Sequence, residues 1–239
     1  MDCCMSSLKT IGSCLPRSAE AFTLTTMKLI LTAVDESLAT AWQRFCGDLE
    51  FVEVHLGSIL EVGCDAVVSP ANSFGFMDGG VDAAYLRRFG HDLQPRLQQV
   101  IAERHHGELL VGAAEVVETG DGAIPYMIAA PTMRVPMVLT ESVNAYLATR
   151  AAILLVRNQQ FHSGPDRGRP LAEKIHRLAF PGMGTGVGQL GPLTCARQMR
   201  AAIDDVLLDQ FTPPRTWAEA GERHQLLFTD YPRRLQHGK

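Results

Sequence analysis

The stretch Asp65-Ala-Val-Val-Ser-Pro-Ala-Asn-Ser-Phe-Gly-Phe-Met-Asp-Gly-Gly-Val-Asp82 decides the reading of this chain. A short apolar strand pattern stops at Pro70, a polar loop with glycines follows, and a helix is expected to start near Val81. One carboxamide (Asn72), two glycines (Gly79 and Gly80) and one carboxylate (Asp82) therefore gather at a strand-to-helix junction. The first N–H groups of a helix have no acceptor within it and point outward, so such a junction suits a small anionic ligand. Plainer readings stand beside this one. Asn72 also fits an ordinary turn, and Asp82 also fits a first-turn carboxylate favoured by the helix dipole.

A second loop has the same character. Phe180-Pro-Gly-Met-Gly-Thr-Gly-Val-Gly-Gln-Leu-Gly191 follows the apolar pattern His176–Phe180 and precedes the helical stretch Leu193–Asp209. Gly182, Gly184, Gly186, Gly188 and Gly191 clear side chains from a place where a ligand can approach the backbone. Glycine is conformationally expensive, so this density points to a requirement, with a flexible turn as the alternative.

Working outward, strand patterns fall at Leu29–Ala33, Phe51–His55, Ala66–Ser69, Ala113–Glu118, Tyr126–Ala130 and His176–Phe180. Helical patterns lie between them at Glu36–Cys46, Val81–Phe89, Leu93–Arg104 and Glu141–Gln159. Alternation of this kind predicts an α/β fold, a three-layer α/β/α sandwich around a mixed, largely parallel sheet. Ligands in such folds sit beyond the carboxyl ends of the strands, and both glycine loops leave from those ends, so they can share one cleft.

The 239 residues, 46% hydrophobic and 20% charged, support one main core. Residues 27–210 are expected to form the domain, with residues 211–239 as a tail on the surface, part of it disordered or in a short helix over Trp217–His224. Residues 1–26 read as a disordered extension, with Met27 as the natural start. They lack the apolar core of a secretory signal, and no run reaches the length of a membrane span. Three of the six cysteines lie in the first fourteen residues and no C-x-x-C pair occurs in the folded part, which argues against zinc and for reduced thiols in a cytoplasmic setting. Cys64 is expected to be buried, and His105-His106 and His162 to be solvated. A net charge of −4 excludes a broad basic field, and with it bulk duplex nucleic-acid binding.

On these residues the chain resembles a macrodomain, the ADP-ribose-binding α/β module. Ser69-Pro70-Ala71-Asn72 followed by Gly79-Gly80-Val81-Asp82 is similar to the family's first loop, and Gly184-Thr185-Gly186-Val187-Gly188 to its second. Gly112–Thr119 and Tyr126–Pro131 match the family's central strand pair. The resemblance covers about Leu29 to Asp209. It implies that Asn72, Gly80 and Asp82 act at the distal ribose of ADP-ribose, and that Thr185, Gly186, Val187 and Gly188 line the diphosphate. It further implies ligand-lining positions at Ser58, Ile59, Ala71, Gly79, Val81 and Gly184. Ser58 stands where many members carry an adenine-binding aspartate, and Ser69 replaces the first asparagine of an Asn-x-x-Asn pattern. Phe211 and Trp217 are the candidates for stacking on the adenine.

By resemblance, the ligand is ADP-ribose, free or attached to protein or nucleic acid, with neither metal nor cofactor. The expected activity is hydrolysis of the bond at the distal ribose by a positioned water, with Asp82 orienting ribose or water and Asn72 fixing the sugar. The alternatives are a non-catalytic reader of ADP-ribose, and a phosphatase or deacetylase of free ADP-ribose derivatives. A redox dinucleotide site at Gly186-x-Gly188-x-x-Gly191 is discounted because no strand with a ribose-binding acid follows.

Overall fold

Lys28–Ala33 forms the first strand, β1, because its apolar side chains alternate between two buried faces. Leu29 and Leu31 enter the core on one side of the sheet and Ile30 the core on the other. The protein is described here by a computed structural model covering residues 27–233; the expected extension, residues 1–26, lies outside the described residues. After β1 come α1 (Glu36–Cys46), β2 (Val52–Leu56), β3 (Ala66–Ser69), α2 (Gly80–Phe89) and α3 (Leu93–His105). Then follow β4 (Glu115–Glu118), β5 (Tyr126–Ala129), α4 (Asn144–Asn158), β6 (Arg177–Phe180), α5 (Pro192–Val206) and α6 (Trp217–Leu226).

The strands make one six-stranded sheet in the order β2-β1-β6-β3-β5-β4. All neighbours are parallel except β4 and β5, which run antiparallel with Glu115 opposite Ala129. The α/β/α layering follows from side-chain alternation. Val68 and Ile128 face a core completed by Trp42 of α1, Ala148 and Ala152 of α4, and Met199 and Ile203 of α5. Val67, Met127 and Ala179 face the opposite core, completed by Tyr85 of α2 and by Leu93, Leu97 and Ile101 of α3.

Two expectations need correction. Gly112–Thr119 and Tyr126–Pro131 are not a central pair: β5 is internal, but β4 is the edge strand. The fourth helix begins at Asn144 rather than Glu141, because Ser142 turns the chain first, its N–H and hydroxyl both donating to the Leu139 carbonyl at 3.0 Å. Buried Gln198 of α5 then fixes the new helix start. Its Oε1 accepts from the Tyr146 N–H at 3.1 Å and its Nε2 donates to the Ser142 carbonyl at 2.8 Å.

The chain after α5 carries α6, whose N-cap Thr216 accepts from the Glu219 N–H. Arg197 of α5 holds this segment through Asp230 at 2.6 Å. Trp42, with no exposed surface, joins α1 to the sheet. Trp42→Ala is expected to lower the unfolding free energy by about 3–5 kcal/mol. Denaturant titration with tryptophan-independent circular dichroism measures this, and a loss well under 1 kcal/mol would contradict the packing described.

Candidate functional site

The two glycine loops are neighbours because their strands are. β3 and β6 pair in parallel, with Ala66 opposite Leu178 and Val67 opposite Ala179, so Pro70 and Pro181 leave the same edge of the sheet. The first loop ends at Gly79, the N-cap of α2, which has no side-chain cap. Among the described residues, the N–H groups of Gly80, Val81 and Asp82 donate to no backbone carbonyl. Gly80 has φ +56, a conformation that side chains disfavour, and open space surrounds both Gly79 and Gly80.

The glycines of the second loop have separate causes. Gly184 takes φ +74. A Cβ on Gly182 would collide with Thr185 and Leu38, and one on Gly188 would collide with the Gly184 carbonyl and Leu139. Gly186 and Gly191 face open space. The turn closes through Gln189 N–H to the Gly186 carbonyl at 3.0 Å and Leu190 N–H to the Gly184 carbonyl at 3.0 Å. Among the described residues, the N–H groups of Thr185, Gly186, Val187 and Gly188 donate to no backbone carbonyl. Two rows of unpaired amides therefore flank one stretch of sheet edge, an arrangement suited to an anion without help from lysine.

Asp82 lies on the first turn of α2 and is only 7% exposed. The buried Ser69 hydroxyl, at the end of β3, donates to its Oδ1 at 2.6 Å. Burial pushes the Asp82 carboxyl up to about 7, against the opposing pull of the Ser69 hydrogen bond. Tyr85 packs beneath, its hydroxyl donating to the Val68 carbonyl at 2.9 Å. The Asn72 carboxamide builds its own loop. Its Oδ1 accepts from the N–H groups of Phe74 at 3.1 Å and Phe76 at 3.3 Å, and its Nδ2 donates to the Phe76 carbonyl at 2.8 Å. Ser58 likewise closes a local turn, its hydroxyl accepting from the Leu60 N–H at 3.2 Å, while Ile59 is buried in the core and Ala71 is nearly so. Trp217 is largely exposed, and the Phe211 ring lies under the Arg150 guanidinium at 5.6 Å.

A third segment, Thr132–Ser142, which carries no glycine cluster or motif to mark it, binds both loops. Met133 bridges Asn72, the Ser73 N–H donates to the Arg134 carbonyl at 3.2 Å, and the Thr132 hydroxyl donates to the Pro70 carbonyl at 2.8 Å. At its other end the Leu139 N–H donates to the Gly188 carbonyl at 2.7 Å, and the Leu139 side chain fills the space left by Gly184 and Gly188. The signal was present as an apolar run, Met133-Arg-Val-Pro-Met-Val-Leu139, between a strand and a helix.

Of the histidines expected to be solvated, His106 is exposed, but His105 and His162 are drawn inward. His105 Nε2 stands 3.0 Å and His162 Nδ1 3.3 Å from the carboxylate of Glu115, which is buried on β4 and also paired with Arg104 at 2.7 Å. Burial pushes the Glu115 carboxyl up, but hydrogen bonds from Arg104, His105 and the Val116 N–H outweigh it and leave it below its ordinary value. Among the described residues, no group of three side chains is arranged to hold a metal ion and no helix is long and apolar enough to cross a membrane. Cys46, Cys64 and Cys195 are buried and unpaired, and burial pushes each thiol up to about 12. No strand follows α5 among the described residues, so the redox fingerprint lacks its second half.

A layered α/β fold with two amide-lined loops at neighbouring strand ends defines a class of small-anion or nucleotide binders. The Macro domain family model matches residues 68–199, and the chain belongs to the macrodomain family. It is 35% identical over 148 residues to an uncharacterized protein of Aquifex aeolicus, covering 62% of this chain and 78% of that protein. An uncharacterized protein of Aeropyrum pernix is 33% identical over 151 residues, covering 62% and 68%. In fold the chain is similar to the Oceanobacillus iheyensis macrodomain with MES bound, with a TM-score of 0.51, 20% identity, and coverage of 64% of this chain and 75% of that one. It is also similar to a mutant of that macrodomain with ADPR, with a TM-score of 0.50, 19% identity, and coverage of 63% and 75%.

The Asp82 pair has a measurable signature. Its folded pKa lies above that of an unfolded aspartate, so its protonation favours the fold at low pH and that contribution is lost as pH rises through about 7. Asp82→Asn keeps an acceptor for Ser69 and removes the charge. It is expected to stabilise the protein by roughly 1–4 kcal/mol at about pH 8, with little effect at about pH 4. Unfolding curves at both pH values check this; an equal effect at each would show a hydrated carboxylate.

Proposed function

We propose that this chain binds ADP-ribose across the two glycine loops and hydrolyses the bond joining its distal ribose to a modified protein or nucleic acid. One observation carries the proposal: the parallel pairing of β3 with β6 sets two rows of unpaired backbone amides side by side. A diphosphate is an anion of matching extent, and it needs donors in two directions. The Oceanobacillus iheyensis macrodomain that shares this fold has been solved with ADPR and with ADP, which supports the choice of ligand.

In this reading Thr185, Gly186, Val187 and Gly188 donate to the diphosphate, and Gly184 shapes the loop that offers those donors. Gly79, Gly80 and Val81 open the first loop towards the distal ribose, and Ala71 and Asn72 shape the wall behind it. Ser58 and Ile59 mark the adenine end. The Asn72 role differs from a direct grip on the sugar, since its carboxamide already holds Phe74 and Phe76. It acts by setting the loop.

Cleavage at the anomeric carbon passes through an oxocarbenium-like state, so orientation of a water and stabilisation of developing charge dominate the barrier. Asp82 is the group for that task. A carboxyl with a pKa near neutrality accepts a proton from water more readily than an ordinary aspartate, and Ser69 fixes the oxygen that does not face the water. The second reading, a binding module without turnover, is favoured by the depth of Asp82, which the Ser69 bond holds inside the protein.

Calorimetry with ADP-ribose is expected to show binding by the wild type. Gly186→Val should weaken it by at least about tenfold with an unchanged melting temperature, because the glycine faces open space. Turnover of ADP-ribosylated protein or oligonucleotide should fall by roughly a hundredfold or more in Asp82→Ala. Binding by both forms with turnover by neither would replace the hydrolase reading with the reader, and a flat wild-type titration would remove both.

A further inference from the structure

The Thr132–Ser142 segment not only joins the two loops but also presents apolar side chains to solvent. Val135, Met137 and Val138 are each between 45% and 54% exposed. Two more apolar side chains extend the patch, Phe76 from the first loop at 54% and Val187 from the second at 62%. Hydrogen bonds make these one rim. Phe76 is held by Asn72, which bridges Met133, while Val138 and Val187 flank Leu139 and Gly188, whose backbones are bonded. Scattered exposed hydrophobic residues are ordinary, but five on three loops that are joined by backbone contacts are not.

Strand order gives the rim its place along the cleft. Ser58 follows β2 at one edge of the sheet, the second glycine loop follows β6, the Asn72–Asp82 loop follows β3, and Thr132–Ser142 follows β5. If ADP-ribose runs from adenine at Ser58 to distal ribose at Asp82, the β5 segment crosses from the diphosphate loop, where Leu139 is bonded to Gly188, to just past the ribose, where Met133 bridges Asn72. That is where the group attached to the ribose must project. The charge there is informative too. Arg134, the only cation in this segment, is paired with Glu108 at 2.6 Å, and its guanidinium lies over the Phe74 ring at 5.1 Å. The remaining ionisable residue in it, Glu141, is acidic. A nucleic-acid strand needs free cations for its phosphates, and this rim offers none of its own.

We propose that the rim formed by Phe76, Val135, Met137, Val138 and Val187 docks a protein acceptor, namely a segment with apolar side chains beside its ADP-ribosylated residue. The inference rests on the ADP-ribose reading above and deepens it by naming the acceptor class. Apolar flanks cover the rim and remove its surface from water, while the paired Arg134 neither attracts nor requires an acidic neighbour.

The test uses the full chain and the double variant Met137→Ser/Val138→Ser, which alters exposed positions only. Four ligands are titrated: free ADP-ribose, a peptide carrying ADP-ribose through a non-hydrolysable linkage with leucine and valine flanks, the same peptide with aspartate and lysine flanks, and an ADP-ribosylated oligonucleotide. The wild type is expected to bind the apolar-flanked peptide at least about tenfold more tightly than the charged one or the oligonucleotide. The double variant should lose that margin while binding free ADP-ribose as the wild type does. Equal affinity for the two peptides, or tighter binding of the oligonucleotide, would overturn the protein-acceptor inference and leave the ADP-ribose reading standing. Failure of the wild type to bind free ADP-ribose would overturn both.

Discussion

Everything at the site depends on the pairing of β3 with β6. Only when these strands lie side by side and point the same way do the loops after Ser69 and Phe180 emerge together. The pairing is held by residues far from any ligand. Val67 and Ala179 face one core, Leu178 and Ala66 the other, and each core is closed by helices that belong to other parts of the chain. Below the sheet edge Asp65 adds a polar clasp, accepting from the N–H groups of His176 and Arg177 at 2.8 Å each. The placement of the two rows of open amides is thus a consequence of core packing and strand register, while the glycines set the shape of each loop.

Much of this was legible in the residues and some was not, for identifiable reasons. Strand and helix periods located the elements because both faces of the sheet are buried and the helices that cover it, such as α1 and α5, each carry one apolar stripe. The glycine loops were legible because glycine has few reasons to cluster. What escaped was anything set by partners distant in sequence. β4 looks internal from its apolar centre, Val116-Val117, yet it is an edge strand. His105 and His162 look solvated until folding brings Glu115 between them, a pairing across tens of residues that no local pattern encodes. The same holds for Ser69. Its sequence position marked a departure from the family pattern, but its hydrogen bond to Asp82 needed the return of α2 over the end of β3.

The Ser69–Asp82 pair also shows how fold and chemistry pull in opposite directions. A carboxylate in so dry a place weakens the folded state as pH rises through neutrality. Stability alone would favour an uncharged side chain there. On the proposed reading this cost is offset by the chemistry assigned to Asp82, since a carboxyl held near neutrality by burial suits proton transfer.

The strap from Thr132 to Ser142 has a consequence for dynamics. By tying Ser73 on one side and Gly188 on the other, it couples the two loops, so that displacing either one breaks hydrogen bonds that also hold its neighbour in place. The ordering of these backbone donors is then completed when the chain folds, not when a ligand arrives. On the proposed reading, donors arranged in advance by the strap spare a ligand part of the entropy of ordering the loops, which favours rapid capture over slow adaptation.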